Sequence, residues 1–140
     1  MSIDIQGSSS HKKTLLIRQV IDYMMKALNL KNIFIDVEIS NLFQNEKAYG
    51  FCLSYTPTEF LIELDQSLPL YELIETICHE MIHVKQYATG ELVEKGKQIL
   101  YRNCLYDDST DDSSPWEKEA YEKELYYVDA FLYDSELFWN

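Results

Sequence analysis

The spacing of apolar residues in the first half of the chain predicts one helix followed by three strands. From Lys13 to Leu30, apolar side chains recur every three or four residues, as on the buried face of a helix. Residues 33–39 alternate between apolar and polar, which is typical of a half-buried strand. Residues 48–55 and 59–64 predict two more strands, and Thr56-Pro57-Thr58 between them predicts a hairpin loop.

The longest helical pattern lies between residues 68 and 90. Seven apolar residues share one face of it: Leu70, Leu73, Ile74, Ile77, Met81, Val84 and Ala88. Ser67 is suited to cap the start of this helix, with Pro69 in its first turn. Gly90 lies where the helix should end, and no other Gly or Pro interrupts the pattern. We therefore expect one continuous helix here.

The remainder of the second half predicts a connection, an extended segment and a last helix. Residues 89–98 are polar and contain two glycines, and residues 99–106 predict a fourth strand or an extended loop. The acidic run at residues 107–114 is predicted to be a solvated linker. Pro115 suits the first turn of a helix that continues to residue 138. This order of elements favours an α+β fold over repeating βαβ units.

Length, composition and charge restrict the class of protein. At 140 residues, with 46% apolar and 14% aromatic residues, the chain is long and apolar enough for a folded domain. We expect residues 1–11, which are polar and rich in serine, to be a flexible lead-in, and residues 12–140 to form a single domain. The net charge of −12 argues against a nucleic-acid partner, because there is no basic patch to bind phosphates. It favours basic peptide substrates, or it simply serves solubility.

The cysteines and the N-terminus predict a cytoplasmic protein without a membrane partner. The three cysteines are widely spaced and form no C-x-x-C motif, so they predict neither a zinc ribbon nor a disulfide framework. The N-terminus lacks the apolar core of a signal peptide, and no apolar run reaches membrane-spanning length. We expect Cys78 to be a buried free thiol.

The strongest chemical signal is the motif H-E-x-x-H at residues 79–83, in the middle of the long predicted helix. Residues four apart lie on one face of a helix, so His79 and His83 can direct two imidazole nitrogens at one metal ion. Glu80 is rotated by about 100° from His79. Its carboxylate therefore lies beside the metal, where a general base for a metal-activated water belongs.

A catalytic zinc site usually has three protein ligands, so a further donor is required. The only other histidine, His11, falls in the predicted lead-in, which favours a carboxylate instead. The start of the last helix offers four carboxylates: Glu117, Glu119, Glu122 and Glu124. The residue types alone do not choose among them.

The sequence HEMIH on a helix, followed by a variable loop and then P-W-E-x-E-A at the next helix, resembles small gluzincin-type zinc metallopeptidases. These include the minigluzincins, the ImmA/IrrE-like proteases and the phage-type SprT-like metallopeptidases. The resemblance implies a zincin-like fold, with a small, mostly antiparallel sheet packed against the HExxH helix. It also implies an N-terminal helix and a C-terminal helix that carries the third ligand. In such proteins that ligand is often a Glu followed directly by Ala, which is Glu119 here. The third histidine and the cysteine ribbon of SprT-like enzymes are absent.

Together these features predict zinc-dependent hydrolysis of peptide bonds. His79, His83 and Glu119 would hold Zn²⁺, and Glu80 would act as general base. A peptide or protein substrate, basic or extended, would pair with an edge strand such as residues 48–55.

Two questions stay open at this stage. Tyr101, Tyr106 and Tyr121 are candidates by position for stabilising the oxyanion, and none is assigned. The alternative function is a metal-containing binding or regulatory module, or a latent protease with little turnover. A purely structural role without metal is a further alternative.

Overall fold

The computed structural model of the protein describes residues 2–7, 10–107 and 113–135. Three predicted features therefore lie partly outside the described residues. These are the lead-in, at residues 1, 8 and 9, the acidic linker, at residues 108–112, and the end of the last helix, at residues 136–138.

Seven strands and four helices are formed by the described residues. In chain order they are β1 (Ser2–Gly7), α1 (His11–Ala27), β2 (Phe34–Ser40), α2 (Leu42–Glu46), β3 (Gly50–Thr56), β4 (Glu59–Asp65), α3 (Leu70–Ala88), β5 (Leu92–Lys95), β6 (Gln98–Tyr101), β7 (Cys104–Asp107) and α4 (Pro115–Asp134). The predicted α+β class is confirmed. None of the helices in these ranges is both long and apolar enough to cross a membrane.

The main sheet has four strands in the order β1-β2-β4-β3. β1 and β4 both run parallel to β2, and only β3 and β4 form an antiparallel pair. The prediction of a mostly antiparallel sheet is therefore wrong for this sheet, which is mixed. The predicted hairpin loop does join β3 to β4, but β3 lies outside β4 at the edge. The strand that adjoins β4 on its other side is β2, and the two run in the same direction.

β1 falls within the segment that was expected to be a flexible lead-in. Ile3 and Ile5 alternate with polar residues and pack against the core, so this short alternation was the signal for a strand. Gly7 ends the strand at φ +114°, and a Cβ there would lie 2.1 Å from the carbonyl oxygen of Ile39. His11 begins α1, so it belongs to a regular element rather than to a loose tail.

The core lies between the main sheet and the three long helices. α3 packs against β3 and β4, while α1 and α4 pack against α3. The predicted apolar stripe on α3 is buried along its length, from Leu73 to Val84. Cys78 is also fully buried and not disulfide-bonded, as expected. Ser67 does not cap α3; it bonds the Asp65 carboxylate instead.

β5, β6 and β7 form a second, antiparallel sheet in a region predicted to be a polar connection followed by one strand or loop. Gly96 turns the chain between β5 and β6 at φ +64°, and Arg102 and Asn103 turn it between β6 and β7 with φ of 49° and 66°. The sheet encloses a small core of its own with the start of α4: Leu92, Ile99, Tyr101 and Trp116. This core holds the first turn of α4 next to α3.

Candidate metal centre

A cleft of about 720 Å³ opens between α3, α4 and the edge strand β3. The histidines of the HExxH motif and Glu80 lie along α3, and Glu117, Tyr121 and Glu124 face them from α4. β3 contributes the opposite wall. All residues of the motif that were expected to carry chemistry therefore line one cavity.

His79, His83 and Glu117 bring three potential metal-ligand atoms within 4.8 Å of one another. The Nε2 atom of His79 lies 3.0 Å from Glu117 Oε1, and the Nε2 atom of His83 lies 3.1 Å from Glu117 Oε2. Ligand atoms around a tetrahedral zinc ion are separated by about 3.3 Å, given zinc–nitrogen bonds of about 2.0–2.1 Å. The donor set and its spacing therefore suit a metal of this kind.

The other nitrogen of each imidazole is held by an acceptor. His79 Nδ1 lies 2.9 Å from Glu124 Oε1, and His83 Nδ1 lies 2.8 Å from Gln86 Oε1. Because both partners are acceptors, each Nδ1 carries the hydrogen. Each Nε2 then presents a lone pair towards Glu117 unless it is also protonated. Lone pairs facing a carboxylate repel, so this arrangement requires a cation between them, either protons or a metal ion.

The pKa values of His79 and Glu117 also indicate that positive charge is favoured between them. Burial opposes protonation of His79, but hydrogen bonds to Glu117 and Glu124 raise its pKa to about 10. Burial would raise the pKa of Glu117, yet its hydrogen bonds with the two histidines lower it to about 2. The surrounding carboxylates thus stabilise positive charge at the two imidazoles.

Glu80 lies beside this cluster, only 6% exposed. Within the ranges that the structure describes, its carboxylate has no hydrogen-bond or ion-pair partner. Burial raises its pKa above the ordinary value, against the opposing influence of His83 and His79. A buried carboxylate without a partner that faces a cleft is available to accept a proton from a bound molecule.

Gly50 on β3 allows this arrangement to form. A Cβ at this position would lie 2.4 Å from Thr76 Cγ2 and 3.1 Å from Glu80 Oε2. The absence of a side chain therefore lets the edge strand approach α3 at the level of Glu80.

Glu119, the expected third ligand, does not join the histidines. Its carboxylate accepts hydrogen bonds from Gln86, Tyr101 and Lys123 at 2.8, 3.0 and 2.8 Å, and it also pairs with Arg102. These donors occupy both of its oxygens. In the structure Glu117, rather than Glu119, is the carboxylate next to both histidines.

The other two carboxylates of the predicted group take different positions. Glu124 hydrogen-bonds the Nδ1 atom of His79, whose Nε2 atom faces Glu117, and Glu122 is exposed. Residues seven apart lie on the same face of a helix, two turns from each other. The pair Glu117 and Glu124 was therefore the signal in the sequence for a face directed at the histidines.

The three candidate tyrosines also separate. The Tyr101 hydroxyl bonds Glu119, and Tyr106 packs against Trp116. Only Tyr121 lines the cleft, with its ring centroid 4.6 Å from that of His79.

Comparisons of this chain with protein-family models, with curated proteins and with solved structures give no match. The functional interpretation therefore depends on the residues and geometry of the cleft.

Proposed function

We propose that this protein is a zinc-dependent peptidase in which His79, His83 and Glu117 hold the metal. The observation that carries the proposal is the convergence of two Nε2 atoms and one carboxylate, with both Nδ1 atoms held by acceptors. Such acceptors fix the tautomer and orientation of metal-binding histidines. The sequence motif and the resemblance to small gluzincin-type peptidases imply the same types of donor, two histidines and one glutamate, although the resemblance pointed to Glu119. They also supply the reaction class.

When zinc is bound at such a site, it lowers the pKa of a coordinated water and polarises the carbonyl to be attacked. Glu80 accepts the proton of the attacking water and delivers it to the leaving amine. The burial of Glu80 holds its carboxylate away from bulk water, and no described residue hydrogen-bonds to it. His79 and His83 keep their Nδ1 protons throughout, because Glu124 and Gln86 remain bonded to them.

The walls of the cleft favour an extended substrate that carries positive charge. Among the strands of the described ranges, β3 is at an edge with one side unpaired, so an extended peptide can add to it beside Glu80. Besides Glu80 and the carboxylates around the histidines, three more line the cleft: Glu46, Glu75 and Glu94. Lys47 is the one lysine or arginine among the described residues of the lining. A basic side chain next to the cleaved bond would therefore be attracted, and an acidic one repelled.

Two histidines and one carboxylate also bind iron(II) in oxygenases. Glu80 favours hydrolysis over that chemistry, because a buried carboxylate beside the metal serves to take a proton from water. Cleavage of peptides by the zinc-loaded protein without O₂ or a reductant distinguishes hydrolysis from oxygenase chemistry.

The decisive experiment compares wild type with Glu80→Gln, both loaded with zinc. Each is incubated with a library of unstructured peptides, and new termini are detected by mass spectrometry. We expect wild type to cleave peptides, with a preference for basic sequences. Loss of a general base lowers turnover by about 10²–10⁴-fold, and the variant should retain its zinc. Glu122→Gln, at an exposed position of α4, is the matched control.

Cleavage by Glu80→Gln at the wild-type rate would contradict the mechanism. Full zinc binding by both proteins with no cleavage of any peptide would instead favour the alternative of a metal-containing binding module.

A further inference from the structure

We propose that Gln86 and Glu119 are positioning residues for the metal centre. Glu119 fixes the orientation of the Gln86 side-chain amide, and this amide holds His83 in the tautomer whose Nε2 binds the metal. The inference rests on the proposed metal site but concerns residues that do not touch the metal.

Gln86 is fully buried between α3 and the start of α4. Its amide nitrogen donates to the Trp116 carbonyl oxygen at 3.0 Å and to Glu119 Oε1 at 2.8 Å. Its amide oxygen faces His83 Nδ1 at 2.8 Å. Every polar atom of this side chain is thus matched by a partner of the opposite kind.

Rotation of the amide by 180° would reverse both matches. The amide oxygen would face two acceptors, and the NH₂ group would face His83. The amide oxygen would then be buried without a donor, in a site that water does not reach, and Glu119 and the Trp116 carbonyl would each lose one hydrogen bond. One orientation of Gln86 is therefore strongly favoured.

Glu119 strengthens this preference, because both of its carboxylate oxygens face hydrogen-bond donors. Gln86 and Tyr101 donate to Oε1, and Lys123 and Arg102 lie on Oε2. Gln86 belongs to α3, Lys123 to α4, and Tyr101 and Arg102 to the end of β6 and the turn after it. These four contacts hold the carboxylate in place.

The orientation of Gln86 determines which nitrogen of His83 carries the hydrogen. While Gln86 presents its oxygen, Nδ1 is protonated and Nε2 has a lone pair directed at the metal position. A rotated Gln86 would donate to Nδ1, the proton would then belong on Nε2, and His83 could not bind a metal through that atom. The influence of Glu119 on the metal is thus transmitted through Gln86.

The test measures zinc affinity by competition with a chromogenic chelator, for wild type, Glu119→Gln, Gln86→Met and the control Glu122→Gln. A glutamine at position 119 can donate as well as accept, so it weakens the preference for one orientation of Gln86, which then depends on the Trp116 carbonyl alone. Substitution of a residue that orients a metal-binding histidine weakens metal binding by about 10–100-fold. We expect that loss in both variants and none in Glu122→Gln. Because both residues act through one route, the double variant should bind no more weakly than Gln86→Met alone.

NMR of the zinc-loaded proteins supplies a second readout that a merely structural role would not change. In wild type, the His83 ring proton should reside on Nδ1, and in Glu119→Gln its resonance should shift or broaden. Wild-type zinc affinity in Glu119→Gln, together with an unchanged Nδ1 proton, would overturn the inference. If Glu119→Gln does not fold, wild-type affinity in Gln86→Met would overturn it equally. Absence of zinc binding by wild type would instead refute the metal site itself, together with this inference.

Discussion

Glu117 and Glu119 lie two residues apart in α4, yet their carboxylates face different regions of the molecule. Two residues correspond to about 200° of helical rotation. Glu117 therefore faces the cleft and both histidines, whereas Glu119 faces the small sheet and the turn at Arg102. One helix thus contributes to a potential metal site on one side and to a charged network on the other.

The pKa values of both carboxylates are lowered to about 2, in each case against the effect of burial, but by different partners. Glu117 faces two imidazoles, whose protons a metal ion can replace. Glu119 receives hydrogen bonds from Lys123, Gln86 and Tyr101, none of which a metal would displace. A carboxylate that can bind a metal is therefore identified by neighbours whose protons a metal ion can replace, and not by its charge or burial alone.

The largest effect expected from this difference is on zinc affinity. Glu117→Gln removes a direct ligand. It should therefore weaken zinc binding by more than roughly 100-fold, the upper limit for residues that only orient a metal-binding side chain. Glu119→Gln should stay within that limit. Titration of both variants against the same chelator ranks them. A weaker site in Glu119→Gln than in Glu117→Gln would reverse the comparison and restore Glu119 as the ligand.

A somewhat smaller loss is expected for Glu124, which lies on the cleft side of α4 but bonds only the Nδ1 atom of His79. Glu124→Leu removes this acceptor and leaves the tautomer of His79 unrestrained. Zinc affinity should fall by about 10–100-fold. Glu122→Leu, at an exposed neighbouring position, should bind zinc as the wild type does. Equal affinities in the two variants would show that Glu124 has no role in holding His79.

The cleft side also depends on the close approach of β3. Gly50→Ala places a methyl group against Thr76 and next to Glu80. Overpacking of this kind costs about 1–3 kcal/mol of unfolding free energy, which urea denaturation measures. Thr76→Ser removes the methyl group that the new Cβ meets first. The double variant should therefore recover much of the lost stability. Full stability of Gly50→Ala alone would contradict the close approach of β3 to Thr76 and Glu80 at this position.

The smallest effect concerns pH, and it isolates the Glu119 side. The pKa of Glu119 is lowered from 4.5 to about 2 in the folded protein. Its ionised form therefore stabilises the fold at pH values above the ordinary pKa of 4.5. That contribution is lost as pH falls through the folded pKa. The difference in unfolding free energy between metal-free wild type and Glu119→Gln should therefore shrink between about pH 5 and pH 2. A difference that is constant over this range would exclude the charged network as its source.

Periodicity predicted the long elements well, because each buries one face against the core. The span of α3, its apolar stripe, the strands β2 to β4 and the hairpin between β3 and β4 all follow from local patterns. The missed strands β1 and β5 are short, and their stability comes from pairing with other segments. Two isoleucines in β1 were too weak a signal beside the surrounding serines.

The site was predictable on α3 and only in part on α4. His79, Glu80 and His83 belong to one helix, so their relative positions follow from helical geometry. The choice among the carboxylates of α4 depends on how that helix is rotated about its own axis. The packing of Trp116 into the small core and the bonds of Gln86 to α4 hold this rotation, and both involve distant segments. The resemblance favoured Glu119, and the geometry of the cleft favours Glu117.

X-ray absorption at the zinc edge, on protein supplied with one equivalent of zinc, shows directly whether His79, His83 and Glu117 hold the metal. We expect two imidazole nitrogens and carboxylate or water oxygens at about 2.0–2.2 Å. In Glu117→Gln this pattern should be lost, and in the control Glu122→Gln it should be unchanged. A spectrum of hydrated zinc from the wild type would refute the proposed site. So would a sulfur shell at about 2.3 Å, which would assign the metal to a cysteine instead.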